Sequence, residues 1–195
     1  IRKAAVPAEP QVEIFTTPTT QAIPYRIPAI ATAYDGTVVA VADYRYSRVD
    51  IGSGRIDLHI RRSHDNGATW SEPQYIDEEF IYSKFDKSAY GPIRGWFVGS
   101  GKICQSKTTK VGTHYRLYCV GSSCRQGSNE TANWVLYSDD FGKTWQFLGG
   151  CDESPVPGGD EPKAEELPDG SILLSSRCTG GRNFNIFTFS DTRSG

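Results

Sequence analysis

The chain of 195 residues contains no methionine, only three histidines and no long apolar run. A helix that crosses a bilayer needs about 20 consecutive apolar residues, so we expect no membrane span. The histidines and the five cysteines show no C-x-x-C or similar ligand spacing. This argues against a zinc site, and nothing else in the sequence indicates a metal or a cofactor. The net charge of −2 argues against a general nucleic-acid-binding protein.

The five cysteines cannot all pair internally, because their number is odd. Cys104 and Cys119 lie in the runs KICQS and YRLYCV, which could face each other across a hairpin. A disulfide there is one interpretation, and buried free thiols are the favoured one. The opening IRKAAVPAEP has no apolar signal core, so residues 1–24 are expected to be a trimmed N-terminus or a linker that leads into the first strand.

Short strand-like runs dominate the rest of the chain, and helical patterns are hard to find. The turn sequences YDG, DNG, DDFG and PDG separate these runs. Strands that are this short and regular predict an all-β sandwich, barrel or propeller. The runs are TVVAVADYRY, IDLHIRRS, QYIDE, RLYCVGSS, NWVLYS, WQFLGG, SILLSSR and NIFTFS.

One octet occurs twice. Residues 63–70 read SHDNGATW and residues 138–145 read SDDFGKTW, and both fit Ser-x-Asp-x-Gly-x-Thr-Trp. Each copy follows one strand and precedes another, which predicts a hairpin turn. The Asp should accept hydrogen bonds from backbone N–H groups two or three residues on, the Gly supplies a positive φ, and the Trp folds back over the turn. The octets offer too few oxygen ligands for a calcium loop.

The repeated octet resembles the Asp box of the sialidases, which are six-bladed β-propellers. The stretch YRIPAI, followed by TVVAVADYRY and the first octet, is similar to the start of the sialidase catalytic domain. The resemblance implies an all-β, six-bladed β-propeller, of which residues 25–195 would supply roughly the first three blades. An open half-propeller would expose strand edges, so we expect the native molecule to continue, either as a second polypeptide or in further residues.

The resemblance also implies a set of residues that bind the substrate. Arg26 of YRIP would be the first of three arginines that hold the sialic acid carboxylate, since a guanidinium is a planar fork that matches a carboxylate. Arg45 would lie at the glycerol edge of the sugar. Asp50, which is 24 positions after Arg26 in a Ser- and Gly-rich loop, would be the general acid. Asp57 competes for that role, but the resemblance makes both Asp57 and Asp43 structural.

A third group lies in GGDEPKAEELPDGSILLSSR. The resemblance implies that Glu161 activates a tyrosine nucleophile and that Arg177 is the second arginine of the clamp, with Glu165 and Glu166 as rivals of Glu161. A neutral tyrosine avoids the repulsion that a carboxylate nucleophile would meet at a carbon already bearing a carboxylate. The tyrosine and the third arginine would lie beyond Gly195.

The function implied by the resemblance is exo-α-sialidase activity, the retaining hydrolysis of terminal sialic acids from glycoproteins, glycolipids and oligosaccharides. A sialic-acid-binding propeller without turnover, a trans-sialidase and a protein-binding Asp-box propeller are the alternatives. A secreted, periplasmic or cell-surface location would follow, since sialylated glycans are outside cells. Trp96 and Trp134 could line the pocket for the N-acetyl group, although core packing is favoured. An aspartate that contacts the sugar in the family is missing from SAYGPIRGWFVGSG.

Overall fold

A computed structural model describes residues 11–17, 25–46, 56–76, 78–99, 101–178 and 181–187. Asp50, the predicted general acid, lies outside these ranges. The described residues form 14 strands and one helix. In chain order they are β1 (Arg26–Thr32), β2 (Val38–Arg45), β3 (Ile56–Ser63), β4 (Gln74–Ile76), α1 (Glu78–Asp86), β5 (Ile93–Val98), β6 (Gly101–Lys102), β7 (Cys104–Val111), β8 (His114–Arg125), β9 (Thr131–Ser138), β10 (Gln146–Phe147), β11 (Val156–Pro157), β12 (Pro162–Glu166), β13 (Ile172–Cys178) and β14 (Gly181–Phe187).

The strands form three sheets. The first sheet has the order β4-β3-β2-β1-β6, and all its pairs are antiparallel except β1 with β6. The second has the order β10-β9-β8-β5, with β7 also paired to β8 and β11 to β9. The third has the order β12-β13-β14. The expected all-β class is therefore confirmed.

The second sheet lies between the other two. One face of the second sheet packs against the first sheet and α1. The buried cluster between them includes Val41, Ile60, Phe85, Trp96 and Trp134. The other face of the second sheet shares a second cluster with the third sheet. Burial on both faces explains why the central strands β8 and β9 are almost continuously apolar or small. Stacked antiparallel sheets of this kind are the arrangement of neighbouring propeller blades.

The two octets form the predicted hairpin turns, because β3 pairs with β4 and β9 pairs with β10 around them. Gly67 and Gly142 have φ angles of 92° and 74°. Each Asp side chain accepts from the backbone N–H four residues on: Asp65 from Thr69 and Asp140 from Thr144, both at 2.8 Å. Asp140 also accepts from the Lys143 N–H, three residues on, as the sequence predicts. The serine at the start of each octet takes part as well, by accepting from the glycine N–H, and the sequence pattern did not predict this role.

Two further expectations concern buried side chains. Trp96 and Trp134 are both 1% exposed and pack with Phe85, which confirms core packing and removes them from a sugar pocket in the described part of the chain. Cys104 and Cys119 do lie on paired strands, but Cys104 is opposite Tyr118, so the two thiols point to opposite faces of the sheet. All five cysteines are free, which confirms the favoured interpretation.

The helix α1 was not predicted. The run QYIDE ends as a strand at Ile76, and the helix begins at Glu78. It is held by tertiary packing, because Ile81 and Phe85 enter the core between the first two sheets. No helix in the described residues is long and apolar enough to cross a membrane.

Candidate functional site

Arg26 and Arg45 lie on neighbouring strands of the first sheet, and both act electrostatically on the carboxylate of Asp43. Arg26 is exposed and is paired in register with Asp43, next to an irregularity in β1 where Ile27 has a φ of 54°. Arg45 is 5% exposed, and its Nη2 donates to Asp43 Oδ2 at 3.2 Å. Asp43 is fully buried and also accepts from the Val98 backbone N–H at 3.0 Å. These contacts agree with the expected structural role of Asp43, and one of them is with Arg45, a predicted substrate-binding residue.

Burial raises the pKa of Asp43 to about 7, although the Val98 N–H, Arg45 and Arg26 all favour the charged carboxylate. The thiol of Cys119 lies in the field of the same carboxylate, and burial raises the pKa of Cys119 to about 12, so it stays neutral. The group formed by Arg26, Arg45, Asp43 and Cys119 therefore has a larger positive charge when Asp43 is protonated.

Glu161 and Arg177 are adjacent, as their separation in the sequence suggested. The Arg177 N–H donates to the Glu161 carbonyl at 3.1 Å, and Arg177 Nη1 lies 3.4 Å from Glu161 Oε2. Arg177 Nη2 also donates to the carboxylate of Asp160. The side chains of Arg177 and Glu161 are 55% and 42% exposed, so both remain accessible to a ligand. Asp160 was missed, although it directly precedes Glu161.

The rivals of Glu161 have different surroundings. Glu166 is 5% exposed and accepts from Ser106 Oγ at 2.6 Å, Thr108 Oγ1 at 2.9 Å and the Lys107 N–H. These bonds join β12 to β7 and account for both oxygens of Glu166, which gives it a structural role. Glu165 is half-buried. The assignment of Glu161 over Glu165 stays a prediction.

The second sheet connects the two arginine groups. Val98, at the end of β5, donates to Asp43, and the next residue, Gly99, lies against Pro162, which follows Glu161. A Cβ on Gly99 would lie 2.1 Å from the Pro162 carbonyl oxygen, so this approach requires glycine. The Val98–Gly99 segment thus contacts Asp43, the partner of Arg45, and also Pro162, the neighbour of Glu161 in the chain.

The loop before β12 is fixed to the same sheet. Asn133 Nδ2 donates to the Asp160 carbonyl at 2.8 Å, and Ser122 Oγ donates to the Gly159 carbonyl at 3.3 Å. A Cβ on Gly159 would lie 2.0 Å from Asn133 Oδ1. The backbone beneath Asp160 and Glu161 is therefore held by side chains of β8 and β9.

Tyr25, the residue before Arg26, is held in place by contacts with His59, Tyr44 and Phe15. Its Oη lies 2.6 Å from His59 Nδ1, and its ring packs against Tyr44 and Phe15. His59 is 3% exposed and stacks on Tyr44, with ring centroids 4.7 Å apart and nearly parallel planes. Burial lowers the pKa of His59 to about 4 and raises the pKa of Tyr25, so both are neutral near pH 7. No sequence pattern indicates the pair of Tyr25 and His59, because 34 residues separate its members.

A cavity of about 460 Å³ also touches Arg26. Its lining is mostly apolar and belongs to the first sheet and to residues 12–15, including Phe15, Ile30 and Ala40. It lacks the carboxylates and the other arginines of the site, so it is not the polar site described above. Among the described residues, no cluster of histidine, cysteine, aspartate and glutamate could hold a metal ion.

Comparisons with known proteins agree with this fold. The family described as BNR/Asp-box repeat matches residues 136–147, which include the whole second octet. The chain is 29% identical over 130 residues to a sialidase of Paraclostridium sordellii, a region that covers 62% of this chain and 28% of that protein. The chain thus spans about a quarter to a third of the length of this relative.

Three solved structures share the fold. Hadza microbial sialidase Hz136 has a TM-score of 0.62 at 19% identity, over 84% of this chain and 31% of that one. The intramolecular trans-sialidase from Ruminococcus gnavus has a TM-score of 0.59 at 15% identity, over 87% and 52%. The GH93 α-L-arabinofuranosidase of Fusarium graminearum has a TM-score of 0.55 at 22% identity, over 92% and 49%. At these identities the likeness concerns the fold, and the fold serves more than one sugar chemistry.

The paired antiparallel sheets and these structural neighbours show that the chain has a β-propeller fold with Asp-box turns. Within that fold class the similarity to curated sialidases makes the chain sialidase-like.

Proposed function

We propose that this chain is the N-terminal part of the catalytic propeller of an exo-α-sialidase, which removes terminal sialic acids from glycoconjugates with retention of configuration. The observation that carries the proposal is that the Val98–Gly99 segment contacts both arginine groups. Val98 donates to Asp43, the partner of Arg45, and Gly99 lies against Pro162, which follows Glu161, the neighbour of Arg177. The propeller would have six blades, and the remaining ones would come from residues beyond Gly195.

The arginines would bind the substrate carboxylate. Arg26 and Arg177 are both exposed, and a guanidinium matches the shape of a carboxylate. Because Arg177 already donates to Asp160 and lies 3.4 Å from Glu161, the substrate carboxylate would share its guanidinium with these groups. Because an arginine stays charged throughout the pH range of interest, the clamp would hold the sugar through an oxocarbenium-like transition state. Arg45 is buried against Asp43, so it would contribute one edge of its guanidinium to the glycerol side of the sugar.

The acid–base chemistry would belong to Asp50 and Glu161. Asp50 would protonate the leaving oxygen and then take a proton from the attacking water. Glu161 would accept the phenol proton of a tyrosine as that tyrosine attacks the anomeric carbon. The tyrosine and the third arginine would be supplied from beyond Gly195.

Removal of Glu161 tests this assignment. In the parent protein that contains this chain, Glu161→Gln should lower kcat for a fluorogenic sialoside by about 100-fold or more, because general base catalysis contributes about that much. Glu165→Gln should change kcat only a few-fold, and Glu72→Gln, at an exposed position, serves as the control. A large loss of kcat in Glu165→Gln together with a small loss in Glu161→Gln would assign the general base to Glu165 instead.

Replacement of Asp50 separates turnover from binding. Asp50→Asn should abolish hydrolysis while the affinity for free sialic acid, measured by calorimetry, stays within a few-fold. Unchanged turnover would refute the acid assignment.

A wild-type protein that binds sialic acid without turnover would be the lectin-like alternative, and product analysis would separate hydrolysis from transfer. Release of arabinose from an α-L-arabinofuranoside, with no release of sialic acid, would refute the proposed function.

A further inference from the structure

Asp43 is an ionisable group in a largely apolar environment. It lies on the face of β2 that carries Val39 and Val41, and that face packs into the core between the first two sheets. Burying a carboxylate costs free energy unless hydrogen bonds and opposite charges compensate for the lost water. Two partners do so here, the Val98 N–H at 3.0 Å and Arg45 Nη2 at 3.2 Å.

These two partners belong to different sheets. Arg45 is on β2 of the first sheet, whereas Val98 is on β5 of the second. The Asp43 carboxylate therefore connects Arg45 to the Val98–Gly99 segment. Gly99 of that segment lies against Pro162, the residue after Glu161. A buried ion pair adds little to stability compared with an apolar replacement, so its position between the groups suggests that it contributes to specificity.

We propose that Asp43 is a positioning residue, which orients Arg45 and Arg26 and fixes their distance from Glu161 and Arg177 through its bond to Val98. This inference rests on the proposed function, since it concerns binding of the same anionic sugar. Asp43 itself is fully buried, so it would act on the substrate through the arginines and not by direct contact.

The protonation state of Asp43 should then control affinity. The groups that face it are Arg26 from β1, Arg45 from β2, the Val98 N–H from β5 and the neutral thiol of Cys119 from β8. A protonated Asp43 accepts hydrogen bonds from Arg45 and Val98 more weakly than the carboxylate does. Because burial raises the pKa of Asp43 to about 7, the wild-type KM for a sialoside should rise as the pH falls from 8 to 6.

The test compares Asp43→Asn with Asp57→Asn in the parent protein that contains this chain. The amide introduced by Asp43→Asn would have the shape of the protonated acid at every pH. Asp57 is the matched control, because it is also a buried aspartate of the first sheet, on β3, and accepts from Tyr46 Oη at 2.6 Å. In the register of β2 and β3, Asp43 is opposite Leu58, so the two side chains share a face of the sheet. Asp57 directly precedes Leu58 and therefore points to the other face. The measurements are KM and kcat for a fluorogenic sialoside between pH 5 and pH 8, with melting temperatures at each pH.

We expect the KM of Asp43→Asn to exceed that of the wild type by about tenfold at pH 8, the effect of losing one charge-assisted hydrogen bond. The ratio of the two KM values should approach 1 at pH 5, and the ratio for Asp57→Asn should stay near 1 throughout. An equal KM at pH 8, a ratio that does not change with pH, or the same result for Asp57→Asn would overturn the inference. A lower KM in Asp43→Asn would also overturn it, since the carboxylate would then act on the substrate by repulsion.

Two measurements on the wild type separate a failure of the inference from a folding defect of the variant and from a failure of the proposed function. If Asp43→Asn does not fold, the wild-type profile decides alone, because a constant KM between pH 8 and pH 6 contradicts the inference. If the wild type releases no sialic acid at any pH, the proposed function fails, whereas a failure of the inference leaves wild-type turnover intact.

Discussion

Gly99 offers a direct test of whether close packing of the second and third sheets sets the geometry of the site. In Gly99→Ala, the new Cβ would lie 2.1 Å from the Pro162 carbonyl oxygen and 3.1 Å from both its carbonyl carbon and its Cδ. Real Cβ contacts essentially never fall under 3.0 Å. The oxygen belongs to the backbone of β12, so it cannot rotate away, and the two segments must separate by roughly 1 Å.

Two effects should follow from this separation. Overpacking of this kind lowers the free energy of unfolding by about 1–3 kcal/mol, which urea unfolding measures. Glu161 and Arg177 would also move relative to Arg26, and a misplacement of about 1 Å can lower kcat/KM by about 100-fold. The sialoside assay on the parent protein measures this second effect.

Gly142→Ala is the matched control for Gly99→Ala. Gly142 has a φ of 74° in the turn of the second octet, where an alanine is strained, and the atoms nearest to its Cβ belong to Trp145 and Val39, not to Pro162. We expect a comparable loss of stability with a much smaller loss of kcat/KM. If Gly99→Ala keeps both its unfolding free energy and its kcat/KM, or if the two variants lose activity equally, the packing at Pro162 does not set the site geometry.

Two other buried groups give predictions about stability. His59 has its folded pKa lowered from 6.5 to about 4, so it stabilises the fold above pH 6.5, and up to about 3 kcal/mol of that stability is lost as the pH falls to 4. Urea unfolding at pH 7, 5 and 4 should show this decline, and His59→Gln should reduce it; an equal decline in both proteins would refute the role of His59. Glu166→Ala should cost about 2–4 kcal/mol of unfolding free energy, since Ser106 and Thr108 lose a buried acceptor, whereas a change below about 0.5 kcal/mol would contradict that role.

Features encoded by local sequence were the predictable ones. The octets form turns because Ser, Asp, Gly and Trp act within eight residues of one another. The run IDLHIRRS matches β3 residue for residue, since its residue preferences and its flanking turns agree. The pairing of Arg177 with Glu161 follows from a single hairpin, in which Pro162 is opposite Ser176.

Features that depend on contacts between distant segments were not predictable. The contact of Gly99 with Pro162 and the bond from Val98 to Asp43 join different sheets, and neither leaves a periodic pattern in the sequence. The helix α1 has too weak an apolar stripe to be recognised alone, because only the face with Ile81 and Phe85 enters the core. The roles of Arg26, Arg45, Asp50, Glu161 and Arg177 remain predictions.

The charges of the two arginine groups place a condition on the complete site. Arg177 lies beside the carboxylates of both Asp160 and Glu161. An arginine that already has two carboxylate partners attracts an anionic sugar only weakly. A further cation is therefore needed for tight binding, and the third arginine that the sialidase resemblance implies would supply it. Affinity for free sialic acid should accordingly be weak in any fragment that lacks this arginine and should appear when the complete propeller is present; tight binding by the fragment, measured by calorimetry, would contradict the charge argument.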